Sequence, residues 1–129
     1  MAQVKIFGLR ENLDAVREAL SRAIHASIVA ALAYPPEKKF HRFIPLEPAD
    51  FIYPADRSPA YTILEIVMFA GRSEATIKTL IRTLYERIER EAGIAATDLE
   101  ITVIEAPRYA WGIRGKTGDE IALSYKVEV

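Results

Sequence analysis

The polar residue with the clearest chemical role in the sequence is Arg72, which directly precedes Ser73, a residue type that caps helices. Free backbone amides and the helix dipole favour an anion at such a helix start, and a guanidinium binds a carboxylate through two hydrogen bonds. The pattern therefore predicts a site for a small carboxylate at Arg72. A surface arginine that pairs with a nearby group is the alternative.

Two loops are rich in arginine and aromatic residues. The first, after a proline-rich stretch, contains Arg57 and Tyr61. The second, after the fourth expected strand, contains Arg108, Tyr109, Trp111 and Arg114. If the loops meet, within one chain or across a subunit boundary, they would wall a pocket for a small acid. Arginine and aromatic residues are equally typical of subunit interfaces, so both interpretations stand.

The two histidines predict no metal site. His41 and Arg42 are consecutive in an expected strand, so their side chains should point to opposite faces. Arg42 is a candidate for binding an acid, with a solvated or subunit-contact role as the alternative, while His25 should flank the first helix. Without acidic or cysteine partners in a ligand pattern, these histidines give no metal centre. The glycine spacing gives no phosphate-binding loop, and no cofactor is expected.

Charge and composition exclude several classes of protein. The 129-residue chain has 17 basic and 18 acidic residues, a net charge of −1, so no broad basic field attracts nucleic acid or an anionic membrane. It has no cysteine, which excludes thiolate chemistry. The apolar run from Ile24 to Tyr34 is shorter than the span of about 20 residues that a membrane helix needs. With no apolar leader at its start, a cytoplasmic location is the default expectation.

The elements that position these residues follow from hydrophobic periodicity. A short strand, 4–7, should turn at Gly8 into a helix capped by Asn12 and stopped by Pro35 and Pro36. A strand at 40–44 should end or lie at an edge near Pro45. The strongest strand, 61–69, should be central, and Ser73 should cap a second helix that ends near Gly93. Strands are also expected at 100–104 and 124–129.

Strand, glycine turn, helix and strand occur twice, about 60 residues apart, which indicates an internal duplication. We therefore expect one domain, 1–129, with similar halves at about 1–60 and 61–129. The predicted fold is α+β: two β-α-β units share one sheet and place both helices on one face. The opposite face should stay apolar at some positions between Ile63 and Met68, and self-association would cover it.

Four features of the sequence resemble those of a known family. They are the duplicated β-α-β plan, the segment Pro-Pro-Glu-Lys-Lys-Phe at 35–40, the turn at 70–73 and the pair Trp111-Gly112. Together they resemble the tautomerase superfamily, in the branch that includes malonate semialdehyde decarboxylase. The resemblance spans nearly the whole chain. It implies isomerase or related lyase chemistry in a homotrimer, with sheets around a central axis and active sites near subunit boundaries.

The resemblance also implies altered catalytic groups. In that family an amino-terminal proline is the general base or acid, and the matching position here is Ala2. The decarboxylase subgroup has a second arginine where this chain has Ala70 and an acidic residue where it has Lys38. Trp111 matches a family tryptophan in the pocket region. The resemblance therefore implies the fold and the assembly more directly than the catalysis.

Ala2 is a catalytic candidate only if its amine is freed. Alanine permits removal of the initiator methionine, and a free α-amine has a pKa of about 7.7 to 8.0 and can abstract protons or form a Schiff base. With Met1 retained, the Ala2 nitrogen is an amide and Ala2 is simply the residue that starts a strand.

Three hypotheses remain open at this level. The first is a proline-independent enzyme acting on a small keto or enol carboxylate, with Arg72 as a catalytic and binding residue. Its other candidate binding residues are Trp111, Arg42, Arg57 and Arg108. The second is a trimer that binds a small acid without proton chemistry, and the third is a purely structural trimer.

Overall fold

The computed structural model describes residues 1–129 and confirms the predicted α+β class. The main strands are β1 (Ala2–Leu9), β2 (His41–Leu46), β3 (Thr62–Phe69) and β4 (Leu99–Ala106). The helices are α1 (Arg10–Leu32) and α2 (Glu74–Ala92). A small hairpin follows, with strands β5 (Gly112–Ile113) and β6 (Lys116–Thr117).

The four main strands form one mixed sheet in the order β2-β1-β3-β4. Strands β1 and β2 are parallel, as are β3 and β4, so each pair with its helix is one β-α-β unit. The two units join through the antiparallel pair β1 and β3. In this register Ala2 lies opposite Met68, which places the start of the chain beside the turn that leads into α2.

The core lies between one face of the sheet and the two helices. Alternate residues of the central strands, such as Val4, Ile6, Leu64 and Ile66, are fully buried on that face. They pack against the apolar stripes of the helices, which include Leu20 and Ile24 of α1 and Leu80, Leu84 and Ile88 of α2. Burial of each such side chain contributes roughly 1.5–3 kcal/mol, so this packing fixes both helices on one face.

The ends of α2 agree with the sequence prediction. The Ser73 hydroxyl accepts a hydrogen bond from the Thr76 amide at 3.2 Å, and Gly93 closes the helix in a left-handed conformation with φ of 72°. The cap holds the turn before α2 in place, and Arg72 belongs to that turn. A capped helix start directly after Arg72 is the local structure on which the predicted anion site depends.

The opposite face of the sheet is not covered by helices. Its apolar residues include Phe7, Ile44, Ile63 and Val67, all of them partly exposed, and Ile104, which is 43% exposed. Of the positions expected on this face, Ile63 and Val67 lie there, whereas Leu64, Ile66 and Met68 face the helices. Lys5 and Glu65 lie opposite each other between these apolar residues. The face is therefore mixed rather than continuously apolar.

Three local predictions differ from the structure. Gly8 lies within β1, because the strand remains paired on both sides beyond Phe7, and α1 begins at Arg10 without a side-chain cap. The Asn12 amide instead donates to the carbonyl oxygen of Ala60 at 3.4 Å. The segment 124–129 forms no strand, because Val127 packs against Met1 and Phe69 and the Val129 carbonyl oxygen accepts from the Ser73 amide.

Candidate functional site

The start of the chain lies in a buried site at the end of the sheet. The Met1 carbonyl oxygen accepts from the Phe69 amide at 3.2 Å, and the Ala2 amide donates to the Tyr34 hydroxyl at 3.1 Å. The Met1 amine donates to the Tyr125 hydroxyl. With Met1 in place, the Ala2 nitrogen is thus a buried strand amide, and the free amine of the site is that of Met1.

The Met1 amine is uncharged near neutral pH. Burial lowers its pKa from 8.0 to about 5, and the positive charges of Arg72, Lys38 and Arg108 lower it in the same direction. An uncharged amine has a free electron pair and can accept a proton. The site therefore contains a base, although the base is a primary amine and not a proline nitrogen.

Arg72 is the buried cation of this site, with only 6% of its surface exposed. One guanidinium nitrogen, Nη1, donates to the Phe69 carbonyl oxygen at 3.1 Å, whereas Nε and Nη2 are buried without a partner. Burial lowers the pKa of Arg72, and the hydroxyl groups of Tyr125 and Tyr34 partly offset that effect. Unpartnered N–H groups on a buried cation are costly, so an anion at Nε and Nη2 would relieve a penalty already present.

Aromatic rings line this site. The rings of Tyr34 and Tyr125 meet edge to face at 5.0 Å, and those of Phe69 and Trp111 meet at 5.1 Å. Burial is the largest effect on the pKa of both tyrosines and raises it, so their hydroxyl groups are protonated at neutral pH. A ligand at Arg72 would therefore meet two protonated hydroxyl groups and an apolar wall.

The site is covered by the C-terminal segment, residues 121–129. Val127 is 2% exposed and packs with Met1 and Phe69. The Ser73 amide donates to the Val129 carbonyl oxygen at 2.9 Å. Gly71 permits this close approach, since a Cβ atom there would lie 3.0 Å from Cγ1 of Val127. None of the five main surface clefts is lined by Met1, Arg72 or Trp111.

Arg108 is close to the site but its donors are occupied. Its Nε donates to the Gly118 carbonyl oxygen and its Nη2 to that of Ile121, both at 3.0 Å. Its guanidinium carbon lies 5.5 Å from the centre of the Phe69 ring. Arg108 thus holds the loop after β4 against the site and adds positive charge near the amine.

The structure does not bring every predicted arginine together within one chain. Arg57 lies at the opposite end of the sheet, where it pairs with Asp56 at 2.6 Å and Glu100 at 2.8 Å. Arg42 is exposed on the face away from the helices and donates to Gln3 at 3.3 Å. A pocket formed by both arginine-rich loops within one chain is therefore absent, and a pocket formed across subunits stays a prediction.

His41 faces the helices, as alternation with Arg42 predicted. Its Nδ1 lies 2.8 Å from the Ser21 hydroxyl oxygen, and its ring meets that of His25 at 6.1 Å, edge to face. Burial lowers the pKa of His41 from 6.5 to about 4, with Lys39 and His25 acting in the same direction. His41 is therefore uncharged at neutral pH.

This shift predicts that acid destabilises the protein through His41. Because the folded-state pKa is lower than the unfolded one, the unfolded chain takes up a proton first as the pH falls from 6.5 towards about 4. After allowance for the partial exposure of His41, we expect the free energy of unfolding to fall by about 1–2 kcal/mol across that pH range. Urea unfolding of wild type and His41→Asn at pH 7 and pH 4 measures it. An equal acid loss in both proteins would contradict the prediction.

Neither helix is long and apolar enough to cross a membrane. Residues 38–114, more than half of the chain, match the family described as tautomerase enzyme. Among solved structures, malonate semialdehyde decarboxylase superposes with a TM-score of 0.78 at 23% identity, covering 88% of this chain and 92% of its own. The FG41 malonate semialdehyde decarboxylase, inhibited by 3-bromopropiolate, gives 0.76 at 25% identity, covering 94% and 98%.

A fused 4-OT, a symmetric trimer, gives a TM-score of 0.79 at 18% identity, covering 91% of this chain and 96% of its own. The likeness at this level of identity concerns the fold, including the duplicated β-α-β plan. The match of residues 38–114 extends from the segment before β2 to the hairpin after β4, and thus includes Arg72 and Trp111. The chain belongs to the tautomerase enzyme family.

Proposed function

We propose that this protein binds a small keto or enol carboxylate at Arg72 and moves a proton on it without an amino-terminal proline. The observation that carries the proposal is the buried guanidinium of Arg72, whose Nε and Nη2 have no partner. These two nitrogens form one edge of the guanidinium and match the two oxygens of a carboxylate. Support also comes from the FG41 relative, because its inhibitor, 3-bromopropiolate, is a small carboxylate.

The proton transfer uses the amine of the first residue. With a pKa of about 5, the Met1 amine is free at neutral pH to accept a proton from the carbon next to the substrate carbonyl. The negative charge that develops on the carbonyl oxygen is stabilised by a hydrogen bond from a protonated tyrosine hydroxyl, that of Tyr34 or Tyr125. Delivery of a proton to that oxygen gives the enol. In the reverse direction the enol loses its hydroxyl proton, and the protonated amine returns a proton to the carbon to give the keto form.

We further propose that the protein works as a homotrimer. The uncovered sheet face has partly exposed Phe7, Ile44, Ile63 and Val67, an arrangement that favours contact with other copies. The fused 4-OT structures of the same fold are trimers. In such an assembly Trp111, Arg42 and Arg57 are candidate contacts to a substrate, directly or from a neighbouring subunit.

A non-catalytic role is the second candidate, as a small-acid-binding or structural trimer. It is favoured by the C-terminal segment, which buries the Met1 amine under Tyr125 and Val127. It is also favoured by Ala2, whose nitrogen is an amide bonded to Tyr34. If this cover persists in solution, the site has lost proton chemistry.

The test is keto-enol exchange of phenylpyruvate with the protein in its methionine-retained and methionine-processed forms. We expect an enhancement of roughly 100-fold or more over buffer in at least one form, the lower range for a positioned base. Ala2→Pro, processed to expose the proline, should equal or exceed the wild type. Binding of phenylpyruvate without enhancement would favour the non-catalytic binder. Neither binding nor enhancement would leave the structural trimer.

A further inference from the structure

A second polar cleft lies between α1 and the beginning of β2, next to the start of β1, and neither Met1 nor Arg72 lines it. It is open to solvent and has a volume of about 380 Å³. Its lining residues come from α1, from the segment before β2 and from β2 itself: Arg17, Glu18, Ser21, Arg22, Lys39, His41 and Phe43. An adjoining cleft of about 380 Å³ shares Lys39 and His41 and adds Arg42.

The floor of this cleft is held in place by internal contacts. The Ser21 hydroxyl and His41 Nδ1 are 2.8 Å apart, joining the middle of α1 to the first residue of β2. Arg17 bonds to Asp14 at 2.7 Å, and its guanidinium carbon lies 5.5 Å from the centre of the Phe43 ring. When the Ser21 hydroxyl donates to Nδ1, the proton of the neutral ring is on Nε2 and remains free to donate.

Positive side chains outnumber negative ones around the cleft. Arg22 and Lys39 form no ion pair within the chain, in contrast to Arg17. Glu18 is the one carboxylate in the lining, and Arg42 adds a further positive charge next to Lys39. Two unpaired cations thus flank a pair of uncharged hydrogen-bonding groups, Ser21 and His41.

We propose that this cleft binds a phosphate group, through Arg22 and Lys39 with the Nε2–H of His41 as a further hydrogen-bond donor and Ser21 holding the ring in that orientation. The donors come from α1, from the segment before β2 and from β2 itself, and a phosphate has enough oxygens to accept from each of them. A dianion also suits more than one cation, and an arginine binds phosphate through two parallel hydrogen bonds. The proposal is independent of the function proposed for the Arg72 site.

His41 reports on occupancy of the cleft. Its pKa is held at about 4 by burial and by the positive charges beside it. The charged or titratable groups that surround it are Arg17, Glu18, Arg22 and His25 of α1, Lys39 before β2, and Arg42 of β2. A bound phosphate offsets the cations and stabilises the protonated ring, so it raises the pKa of His41.

The experiment is a titration of the full chain with inorganic phosphate, with the imidazole resonances of His41 followed by NMR. Sodium chloride keeps the ionic strength constant. We expect saturable shifts at His41 and a rise in its pKa. Arg22→Gln and Lys39→Gln should each weaken binding roughly tenfold, the value of one charged hydrogen bond. Lys116→Gln, an exposed lysine in the distant hairpin, is the matched control and should leave the affinity unchanged.

A glycerol phosphate titration in parallel distinguishes free phosphate from a phosphate monoester. Tighter binding of the ester assigns the cleft to a phosphorylated metabolite, and equal or weaker binding assigns it to inorganic phosphate. The proposal is overturned if chloride alone produces the same shifts. It is also overturned if both Gln variants, shown to be folded by their NMR spectra, bind phosphate as the wild type does.

Discussion

Exchange of Arg72 for methionine should remove affinity for small carboxylates and, at the same time, stabilise the folded protein. The two free donors, Nε and Nη2, are the groups expected to bind the acid, and each charged hydrogen bond is worth roughly 1.5–3 kcal/mol. Their loss should weaken phenylpyruvate binding by at least about 100-fold. Methionine fills similar space without an unpaired charge, so the free energy of unfolding should rise by about 1–3 kcal/mol.

The two readouts together separate a binding residue from a structural one. If Arg72 had only a structural role, its replacement would lower the free energy of unfolding, because its hydrogen bond to the Phe69 carbonyl oxygen is lost. Isothermal titration calorimetry with phenylpyruvate gives the affinity, and urea unfolding gives the stability. Arg82→Met is the matched control, since Arg82 is an exposed residue of α2 outside the site and should change neither value appreciably. An Arg72→Met protein that is less stable and binds phenylpyruvate normally would refute the assignment.

The place of Arg72 in the fold could be predicted from the sequence because two local signals coincide there. An apolar run that ends at Phe69 and a capping serine at position 73 fix a strand, a turn and a helix start, with the arginine between them. The four strands of the sheet and the face that both helices cover follow in the same way from periodicity. Such signals act over a few residues, and for these four strands and two helices the structure differs from the prediction only at boundaries, as at Gly8 and Arg10.

The rest of the site depends on contacts between distant parts of the chain. From the sequence, Tyr34 is expected to end the first helix together with Pro35 and Pro36. In the structure its hydroxyl accepts from the backbone amide of Ala2, 32 residues away. Tyr125 reads as a strand residue, yet it bonds to the Met1 amine at a separation of 124 residues. Periodicity carries no information about such pairs. Apolar and polar residues alternate at 124–129 without forming a strand. The alternation arises because Val127 packs in the site while Lys126 and Glu128 remain exposed.

The C-terminal segment therefore controls whether the amine and Arg72 are accessible, and Val127→Lys should detach it. Val127 is 2% exposed and packs with Met1 and Phe69, where a lysine cation would be buried next to the positive charges of Arg72 and Arg108. Burial of a charge beside like charges costs several kcal/mol. Release of the segment costs the burial of Val127, about 1.5–3 kcal/mol, and single hydrogen bonds such as that from Ser73 to Val129, each about 0.5–1.5 kcal/mol. Detachment is thus the less costly response to the substitution.

Detachment should return the Met1 amine to water and raise its pKa from about 5 towards the ordinary value of 8.0. In the wild type the folded-state pKa is the lower one, so the free energy of unfolding falls as the pH drops from 8.0 to about 5. In Val127→Lys this dependence should disappear.

Acylation of the Met1 amine at a series of pH values, followed by mass spectrometry, gives the midpoint of its titration directly. Ser124→Lys is the control, since Ser124 is exposed and the charge change is the same. If the midpoint is the same in all three proteins, Val127 does not cover the amine. If it shifts and phenylpyruvate also binds faster, the segment covers the acid site as well, since release exposes the amine and Arg72 together.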